Sequence, residues 1–291
     1  MKNPVMVASG TFGYGPEYAE LVDLNNLGAI VVKGIHMDAT TGNPIPRTFE
    51  TSSGLLNAIG LPNPGVEGFI EQYIPFLCDY DVPVIVNIWG RTVEEYQAIA
   101  SRFNEVEGVH GLEVNVSCPN IKEGSCLFGT NLELFREVVA AVCACTDLPV
   151  IPKLAPNVAS IQEFASAAEE EGADAISLIN SVPGMAIDVE RRRPELANTT
   201  GGLTGAAIKP IAVKLVWEAA QAVQIPIIGI GGITCANDAL EFILAGASSV
   251  AIGTANFTHP DTAEKTVQGI TDYMTRHGVA RIGDLVGSLQ R

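Results

Sequence analysis

The residue with the clearest chemical potential in this sequence is Cys118, which follows a short predicted strand. Residues 111–116 alternate apolar with other side chains, and a period of two predicts a strand. Pro119 ends that strand because it has no N–H to donate to a sheet. A thiol is therefore placed where a strand ends and a loop begins, between the carboxamides of Asn115 and Asn120. We predict that Cys118 takes part in whatever chemistry the protein performs.

Polar side chains also stand at the ends of the other predicted strands. Two lysines and three asparagines in such places would be costly to bury without partners. Neighbouring backbone could satisfy one or two of these polar groups, but the whole set predicts a polar site. The residues are Ser9, Lys33, Asn87, Asn115, Lys153, Asn180 and Ser181.

Short apolar runs alternate with amphipathic segments along the whole chain. Runs that are rich in valine and isoleucine are typical of strands buried on both faces, as in a parallel sheet. Eight β–α units in succession favour an α/β fold, a closed (β/α)8 TIM barrel, over an open doubly wound sheet. No linker or change in composition divides residues 1–291, so we expect a single domain. The predicted strands are Val5–Ser9, Ala29–Lys33, Pro83–Ile88, Gly111–Val116, Pro149–Leu154, Ala175–Asn180, Pro226–Ile230 and Ser249–Gly253.

The amphipathic segments between these strands predict the helices. Two connections, 34–82 and 181–225, are too long to be plain loops. Both follow the C-terminal ends of strands, where barrels of this kind build their sites. The predicted helices are Pro16–Asn25, Val66–Tyr80, Thr92–Val106, Leu132–Cys145, Ile161–Glu170, Ala206–Val223, Ala236–Ala245 and Thr262–His277.

Glycines after the last two strands predict a phosphate site. Gly231-Gly232 and Gly253-Thr254 offer bare backbone N–H groups beside helix N-termini, and barrels frequently hold a phosphate there. Their spacing fits neither a Rossmann fingerprint nor a P-loop. A flavin anchored there would lie across the barrel mouth, with Lys153 beside the N1–C2=O edge that becomes negative on reduction. The alternative is that Lys153 pairs with a carboxylate elsewhere.

Composition narrows the class of protein. Hydrophobic residues make up 47% of 291, and neither a membrane-spanning run nor a signal-peptide pattern is present, which predicts a soluble cytoplasmic protein. The net charge of −16 disfavours nucleic acid or an anionic membrane as a partner. The six cysteines form no CxxC pair, so we expect no zinc or iron–sulfur site in this chain.

Four motifs together resemble the dihydroorotate dehydrogenases, in the same order and over essentially the whole chain. A cysteine at 118, where the membrane-associated class has serine, resembles the soluble class 1. The general run of the sequence looks most like the NAD-linked subtype 1B. The motifs are Asn57–Leu61 (NAIGL), Asn115–Asn120 (NVSCPN), Gly201–Gly205 (GGLTG) and Gly253–Phe257 (GTANF).

The resemblance implies an FMN enzyme that oxidises (S)-dihydroorotate to orotate in pyrimidine synthesis. By similarity, the FMN contacts would be Ser9, Lys33, Gly34, Asn87, Asn115, Lys153, Ile179, Gly205, Gly231, Gly232, Gly253 and Thr254. The substrate contacts would be Lys33, Asn57, Ala58, Ile59, Gly60, Leu61, Asn115, Asn120, Asn180 and Ser181.

The same resemblance assigns catalytic roles to Cys118 and Lys153. The Cys118 thiolate would take the C5 proton while a hydride passes from C6 to the flavin N5. An unperturbed thiol has a pKa of about 8.5, so activity should climb with pH unless the site lowers that value. Carboxamides can pair with the amide edges of the substrate ring, and Lys33 can face its carboxylate.

Subtype 1B also implies a partner subunit that carries FAD and a [2Fe–2S] cluster and passes electrons to NAD. The assembly would be a homodimer core with two such subunits, a heterotetramer. Trp89 departs from the small residue that is usual in the family, and it either crowds the FMN edge or packs behind the strand.

Three other functions are also compatible with the sequence. A related flavin barrel that acts on uracil or a dihydropyrimidine would also use Cys118. A class 1A-like enzyme would use fumarate as the electron acceptor. A catalytically silent scaffold barrel would be expected to have lost Cys118 or Lys153.

Overall fold

The computed structural model describes residues 1–116 and 128–290. Its strands, in chain order, are β1 Val5–Val7, β2 Ala29–Ile35, β3 Thr48–Thr51, β4 Gly54–Asn57, β5 Val84–Ile88, β6 Gly111–Asn115, β7 Val150–Leu154, β8 Ile176–Leu178, β9 Val182–Gly184, β10 Ile187–Asp188, β11 Arg193–Pro194, β12 Gly201–Thr204, β13 Ile227–Ile230 and β14 Ser249–Ile252. Its α-helices are α1 Pro16–Ala19, α2 Gly65–Gln72, α3 Ile74–Leu77, α4 Val93–Phe103, α5 Leu132–Cys143, α6 Ile161–Glu170, α7 Lys209–Ala219, α8 Ala236–Ala245, α9 Ala255–Thr258 and α10 Thr262–His277.

Eight parallel strands close into a barrel in the order β1-β14-β13-β8-β7-β6-β5-β2. Closure is made by β1, which pairs with β14 on one side (Val5 opposite Val250) and with β2 on the other (Met6 opposite Ala29). The predicted (β/α)8 barrel is therefore confirmed. All eight predicted strands form, with their ends displaced by a few residues. That residues 1–291 make up a single domain stays a prediction.

Side chains alternate in direction along each barrel strand, which produces two apolar cores: an outer one between the strands and the helices, and an inner one inside the barrel. On β6, Leu112 and Val114 belong to the large apolar cluster between the strands and the helices, whereas Glu113 and Asn115 point into the barrel. A smaller apolar cluster fills the inside: Met6, Ala8, Ala29, Val31, Ile85, Ile151, Ile228, Ile230 and Ala251. Because successive side chains on a strand face opposite ways, this inner set and the polar residues above it come from alternate positions.

Side-chain caps fix where several outer helices begin. Thr92, Asn131 and Ser160 each accept a hydrogen bond from the backbone N–H three residues later, at the starts of α4, α5 and α6. The helix predicted over 66–80 is instead two helices, α2 and α3. Pro75 lies in the first turn of α3, where its missing N–H costs least.

The two long connections meet in a second sheet. Strands β3 and β4 come from the first connection and β9 and β12 from the second, and they pair in the order β3-β4-β12-β9. Gly202 of β12 lies opposite Asn57 of β4, which in turn lies opposite Thr48 of β3. Pairing between segments that are distant in sequence thus carries residues 57–61 to the mouth of the barrel, where all of them except Ala58 line a cavity.

Across the described ranges 1–116 and 128–290, every helix is too short or too polar to cross a membrane.

Candidate active site

Two adjoining cavities lie at the C-terminal ends of the barrel strands, and they share Gly10, Lys153, Asn180 and Ser181. Lysines and carboxamides dominate the first cavity, which is lined by Ser9, Gly10, Lys33, Gly34, Asn57, Ile59, Gly60, Leu61, Asn87, Asn115, Lys153, Asn180 and Ser181. Small residues dominate the second, which is lined by Ala8, Gly10, Thr11, Lys153, Ile179, Asn180, Ser181, Thr204, Gly205, Ile208, Ile230, Gly231, Gly232, Gly253 and Thr254.

Nearly every predicted site residue that the structure describes lines one of these cavities. Ala58 is the exception within the described ranges: it is 1% exposed and packs with Leu56 and Leu196 beneath the second sheet. Cys118 and Asn120 lie outside the described residues. The contacts that each residue makes with a ligand stay predictions.

Lys33 reaches the first cavity from an irregularity in β2. Val32 lies opposite Val86 but Ile35 lies opposite Ile88, so Lys33 and Gly34 hold one extra residue relative to β5. Such a bulge re-aims side chains, and bulges are common beside active sites. Burial lowers the pKa of the Lys33 ammonium below its ordinary value, an effect that Glu17 partly opposes and Arg47 reinforces. Lys33 thus presents a half-buried cation that an anionic ligand would neutralise.

Lys153 faces the first cavity and also pairs with a carboxylate. Its Nζ lies 3.3 Å from Glu113 Oε1 and 3.3 Å from Ser9 Oγ, and the lysine is 6% exposed. Pairing with a carboxylate, the alternative that the sequence left open for Lys153, is therefore observed, and the same lysine also lines the cavity. Its position beside a flavin ring stays a prediction.

Three carboxamides link the first cavity to the same glutamate. Asn180 Nδ2 lies 3.5 Å from Asn115 Oδ1, and Asn115 Nδ2 lies 3.5 Å from Asn87 Oδ1. Asn87 Nδ2 then donates a 2.6 Å hydrogen bond to Glu113 Oε1. The two 3.5 Å contacts are weak and the hydrogen bond from Asn87 to Glu113 is strong, so this row of carboxamides is held in place chiefly by Glu113.

The fourth carboxamide of the first cavity comes from the second sheet. Asn57 Nδ2 donates to the backbone oxygen of Gly202 at 3.0 Å. This bond spans the two long connections and leaves Asn57 Oδ1 to serve as an acceptor at the cavity.

Glycines shape the second cavity in two different ways. Gly231 and Gly232 have φ angles of 134° and 74°, which favour glycine because they strain other residues. At Gly10 an added Cβ would meet no atom within 4 Å, and at Gly253 its nearest neighbour would be 3.8 Å away. Side chains at these last two positions would fill the space of a ligand and would not disturb the packing. The cavity is therefore a cradle with exposed backbone, which fits a phosphate-bearing cofactor.

Trp89 packs behind the strand. It is 2% exposed, its ring packs at a tilt of 31° against His36 with centroids 4.4 Å apart, and it belongs to neither cavity lining. Of the two placements that the sequence left open for this residue, packing is the one observed.

Sequence reasoning missed Glu113, Ser177 and Gly10. Glu113 shares the period-two face of Asn115, so the strand pattern carried a signal for its inward direction. Three of its four hydrogen-bonding partners lie on other strands and the fourth, Ser9, follows β1, so none of them could be read from the local sequence.

Among residues 1–116 and 128–290, no group of three or more histidine, cysteine, aspartate or glutamate side chains is arranged to hold a metal ion.

Comparison with known proteins places this site in a family. A family model described as dihydroorotate dehydrogenase matches residues 1–274. A protein of Pelobacter propionicus named dihydroorotate dehydrogenase B (NAD(+)), catalytic subunit, is 54% identical over 290 residues, covering 100% of this chain and 95% of that protein. A protein of the same name from Thermoanaerobacter pseudethanolicus is 52% identical, covering 100% of this chain and 96% of that one.

A solved structure agrees at the level of the fold. The crystal structure of a DHODH from Eimeria tenella in complex with ferulenol superposes with a TM-score of 0.81 at 23% identity, covering 98% of this chain and 85% of that one. A barrel with this cavity lining, matched along almost its entire length by the family model, belongs to the dihydroorotate dehydrogenase family.

Proposed function

We propose that this chain is an FMN-dependent catalytic subunit that oxidises (S)-dihydroorotate to orotate in pyrimidine biosynthesis. The observation that carries the proposal is the meeting of Lys33, Lys153 and a set of carboxamides in one cavity that adjoins a glycine-walled one. The names of its relatives, more than half identical over almost the full length, support the same activity.

The second cavity suits the FMN phosphate. Gly231, Gly232, Gly253 and Thr254 would hold that group through backbone N–H groups and a hydroxyl. Lys153 would then stand where the two cavities join, as a cation beside the ring system. When bound, FMN supplies the hydride acceptor that amino-acid side chains cannot provide.

The first cavity suits the substrate. Lys33 would face the substrate carboxylate, because burial leaves its ammonium incompletely solvated, whereas Lys153 already pairs with Glu113. Asn57, Asn115 and Asn180 would pair with the ring amides, because each carboxamide offers one donor group and one acceptor. Cys118 would take the C5 proton as a thiolate, and Asn120 would contact the substrate, although both lie outside the described residues.

The final electron acceptor would be NAD, reached through a second protein. The phrase "catalytic subunit" in the names of the relatives supports a partner. We propose that the partner carries FAD and a [2Fe–2S] cluster, and that two copies of this chain form the core of a heterotetramer. Purification of the assembly from its host, with iron, sulfide and flavin analysis, tests this part separately. A cytoplasmic location stays a prediction.

The activity itself is tested with the purified chain and FMN alone. Dihydroorotate added without oxygen should bleach the flavin absorbance, and orotate should perturb the oxidised spectrum at micromolar concentrations. Dihydrouracil and uracil, offered in the same way, test the related pyrimidine reading. Bleaching by dihydrouracil but not by dihydroorotate would overturn the proposal, as would a chain that binds no FMN.

If FMN is bound and bleached, fumarate and the co-purified partner with NAD distinguish the two acceptors. Rapid reoxidation by fumarate alone would contradict the NAD-linked assignment while leaving dihydroorotate oxidation intact.

A further inference from the structure

Glu113 is a buried carboxylate that holds the wall of the first cavity from behind. It is 2% exposed and belongs to neither cavity lining. Its Oε1 accepts hydrogen bonds from Lys153 Nζ at 3.3 Å, Ser9 Oγ at 3.0 Å and Asn87 Nδ2 at 2.6 Å. These three donors come from three different parts of the barrel, and all of them line the first cavity. One oxygen atom therefore fixes three cavity-facing side chains at once.

The strand register places Glu113 deeper in the barrel than Lys153. Glu113 lies opposite Ile151 on β7, whereas Lys153 lies opposite Asn115. Two residues of a parallel strand separate these levels, which is about 7 Å along the strand at roughly 3.3 Å per residue. Seen from the cavity, the Glu113 backbone thus lies below the backbone of Lys153, on the side away from the barrel mouth.

The other carboxylate oxygen has a partner of its own. Ser177 is completely buried, and its Oγ donates to Glu113 Oε2 at 2.9 Å. Ser177, like Glu113, is absent from both cavity linings. The two oxygens therefore have different partners: Oε1 accepts from side chains that line the cavity, and Oε2 accepts from a side chain in the barrel interior.

Stability alone does not account for this arrangement. Desolvation of two buried ions consumes most of their mutual attraction, so a buried pair adds little net stability compared with apolar residues of the same volume. The electrostatic consequence for a ligand is larger. A lone ammonium at the cavity would attract an anion more strongly than an ammonium with a carboxylate behind it.

We propose that Glu113 is a positioning residue that acts through Lys153, holding the ammonium at the cavity wall and limiting how far it stabilises reduced FMN. This inference rests on the proposed function. A flavin whose reduced form is bound too tightly would retain its electrons, whereas the reaction requires them to pass on to an acceptor. By limiting the stabilisation of reduced FMN, Glu113 would allow the flavin both to be reduced by the substrate and to be reoxidised by the acceptor.

The decisive variant is Glu113→Gln, which keeps the shape of the side chain and an acceptor oxygen but removes the charge. The midpoint potential of the bound flavin should become more positive, because the ammonium no longer has a counter-charge. The ratio of the FMN dissociation constants, oxidised over reduced, should rise roughly tenfold, which is the effect of one unit charge about 12 Å from the reduced ring at an effective dielectric constant of about 20.

Two control variants separate this effect from loosened packing. Ser177→Ala removes the hydrogen bond to the inner oxygen and leaves the cavity-facing donors in place, so its midpoint potential should match wild type even if it lowers the melting temperature. Glu113→Asp keeps the charge and should restore most of the wild-type potential. An unchanged or more negative potential in Glu113→Gln, or an equal shift in Ser177→Ala, overturns the inference.

A second comparison serves if Glu113→Gln does not fold. Lys153→Met leaves the carboxylate without its cation, and the double variant Lys153→Met/Glu113→Gln leaves neither charge buried. The double variant should have a more positive potential than the single one, because the remaining carboxylate repels reduced flavin. Equal potentials contradict the inference. Failure of the wild-type chain to bind FMN would instead contradict the proposed function.

Discussion

Asn87 Oδ1 lies 2.8 Å from the position that a Cβ atom on Gly34 would occupy. The approach is possible because Gly34 belongs to the bulged part of β2, opposite β5, and has no side chain. The carboxamide held there is the one that donates to Glu113. Backbone at one strand end and a side chain at the next therefore define one wall of the first cavity.

Gly34→Ala should disturb this wall. A methyl group would displace either the Asn87 carboxamide or the bulge that carries Lys33, at a cost of about 1–3 kcal/mol in the free energy of unfolding. Affinity for FMN and for orotate should both fall. Chemical denaturation and flavin titration measure the two effects.

Gly10→Ala is the matched control, because its added methyl group would meet no protein atom within 4 Å. Its unfolding free energy should stay near the wild-type value, while its affinity for FMN falls because the methyl group enters the ligand space. If Gly10→Ala bound FMN normally, the cavity would not be the cofactor site.

The pH dependence of orotate binding should report on Lys33. Burial lowers the pKa of Lys33 from its ordinary 10.5. The ammonium is present below this lowered pKa and lost above it, so affinity for the anionic ligand should decline at a lower pH than an exposed lysine would give. Flavin absorbance titrations from neutral pH to about pH 10 measure the effect.

The matching variants are Lys33→Met and Lys214→Met. The first should bind orotate weakly with little dependence on pH in that window, and the second should behave like wild type, since the Lys214 side chain is 63% exposed on α7. A wild-type pH profile in Lys33→Met would exclude Lys33 as the carboxylate partner.

The lowered pKa of Lys33 also affects folding. Because the Lys33 ammonium holds its proton more tightly in the unfolded chain than in the folded one, the ligand-free protein should become more stable as pH rises through the same window.

Cys118→Ser tests the proposed base. A serine hydroxyl loses a proton far less readily than a thiol, so flavin reduction by dihydroorotate should slow by orders of magnitude near neutral pH, and orotate should bind almost normally. Anaerobic stopped-flow absorbance follows the reduction. A variant that is reduced at the wild-type rate would refute the assignment.

An ion-pair cluster beside the phosphate cradle should stabilise the fold in a pH-dependent way. Lys209 Nζ on α7 lies 2.7 Å from Asp238 Oδ1 and 2.6 Å from Glu241 Oε1, both on α8. Although burial opposes ionisation, hydrogen bonds from Lys209 and Thr234 lower the pKa of Asp238 to about 2. A carboxyl group whose pKa is lowered on folding stabilises the protein above the unfolded pKa, and this contribution is lost as pH falls from about 4 to about 2.

Asp238→Asn should therefore lower the unfolding free energy by about 1–2 kcal/mol at neutral pH, with the difference shrinking toward pH 2. Asp261→Asn is the control. Asp261 pairs with Lys265, but the Asp261 side chain is 42% exposed, so its replacement should leave the denaturation midpoint unchanged. A difference between wild type and Asp238→Asn that did not vary with pH would contradict the ion-pair explanation.

The barrel could be predicted from the sequence because its signals are local. Valine- and isoleucine-rich runs, spaced by amphipathic segments, specify strands and helices one at a time, and the rules for parallel sheets then leave few ways to arrange them. The lining of the cavities was also largely accessible, since polar residues such as Lys33 and Asn180 stand at strand ends. The split of the predicted helix 66–80 shows where periodicity was insufficient and the position of Pro75 mattered.

The sequence by itself determined which side chains at the ends of the barrel strands face the barrel mouth, because strand periodicity and strand direction are properties of neighbouring residues. Only the tertiary structure decided how those side chains are held. The four donors that surround Glu113 are separated from it by between 26 and 104 positions along the chain. Closure of the barrel brings them within hydrogen-bonding distance, and no local pattern encodes a contact of that kind.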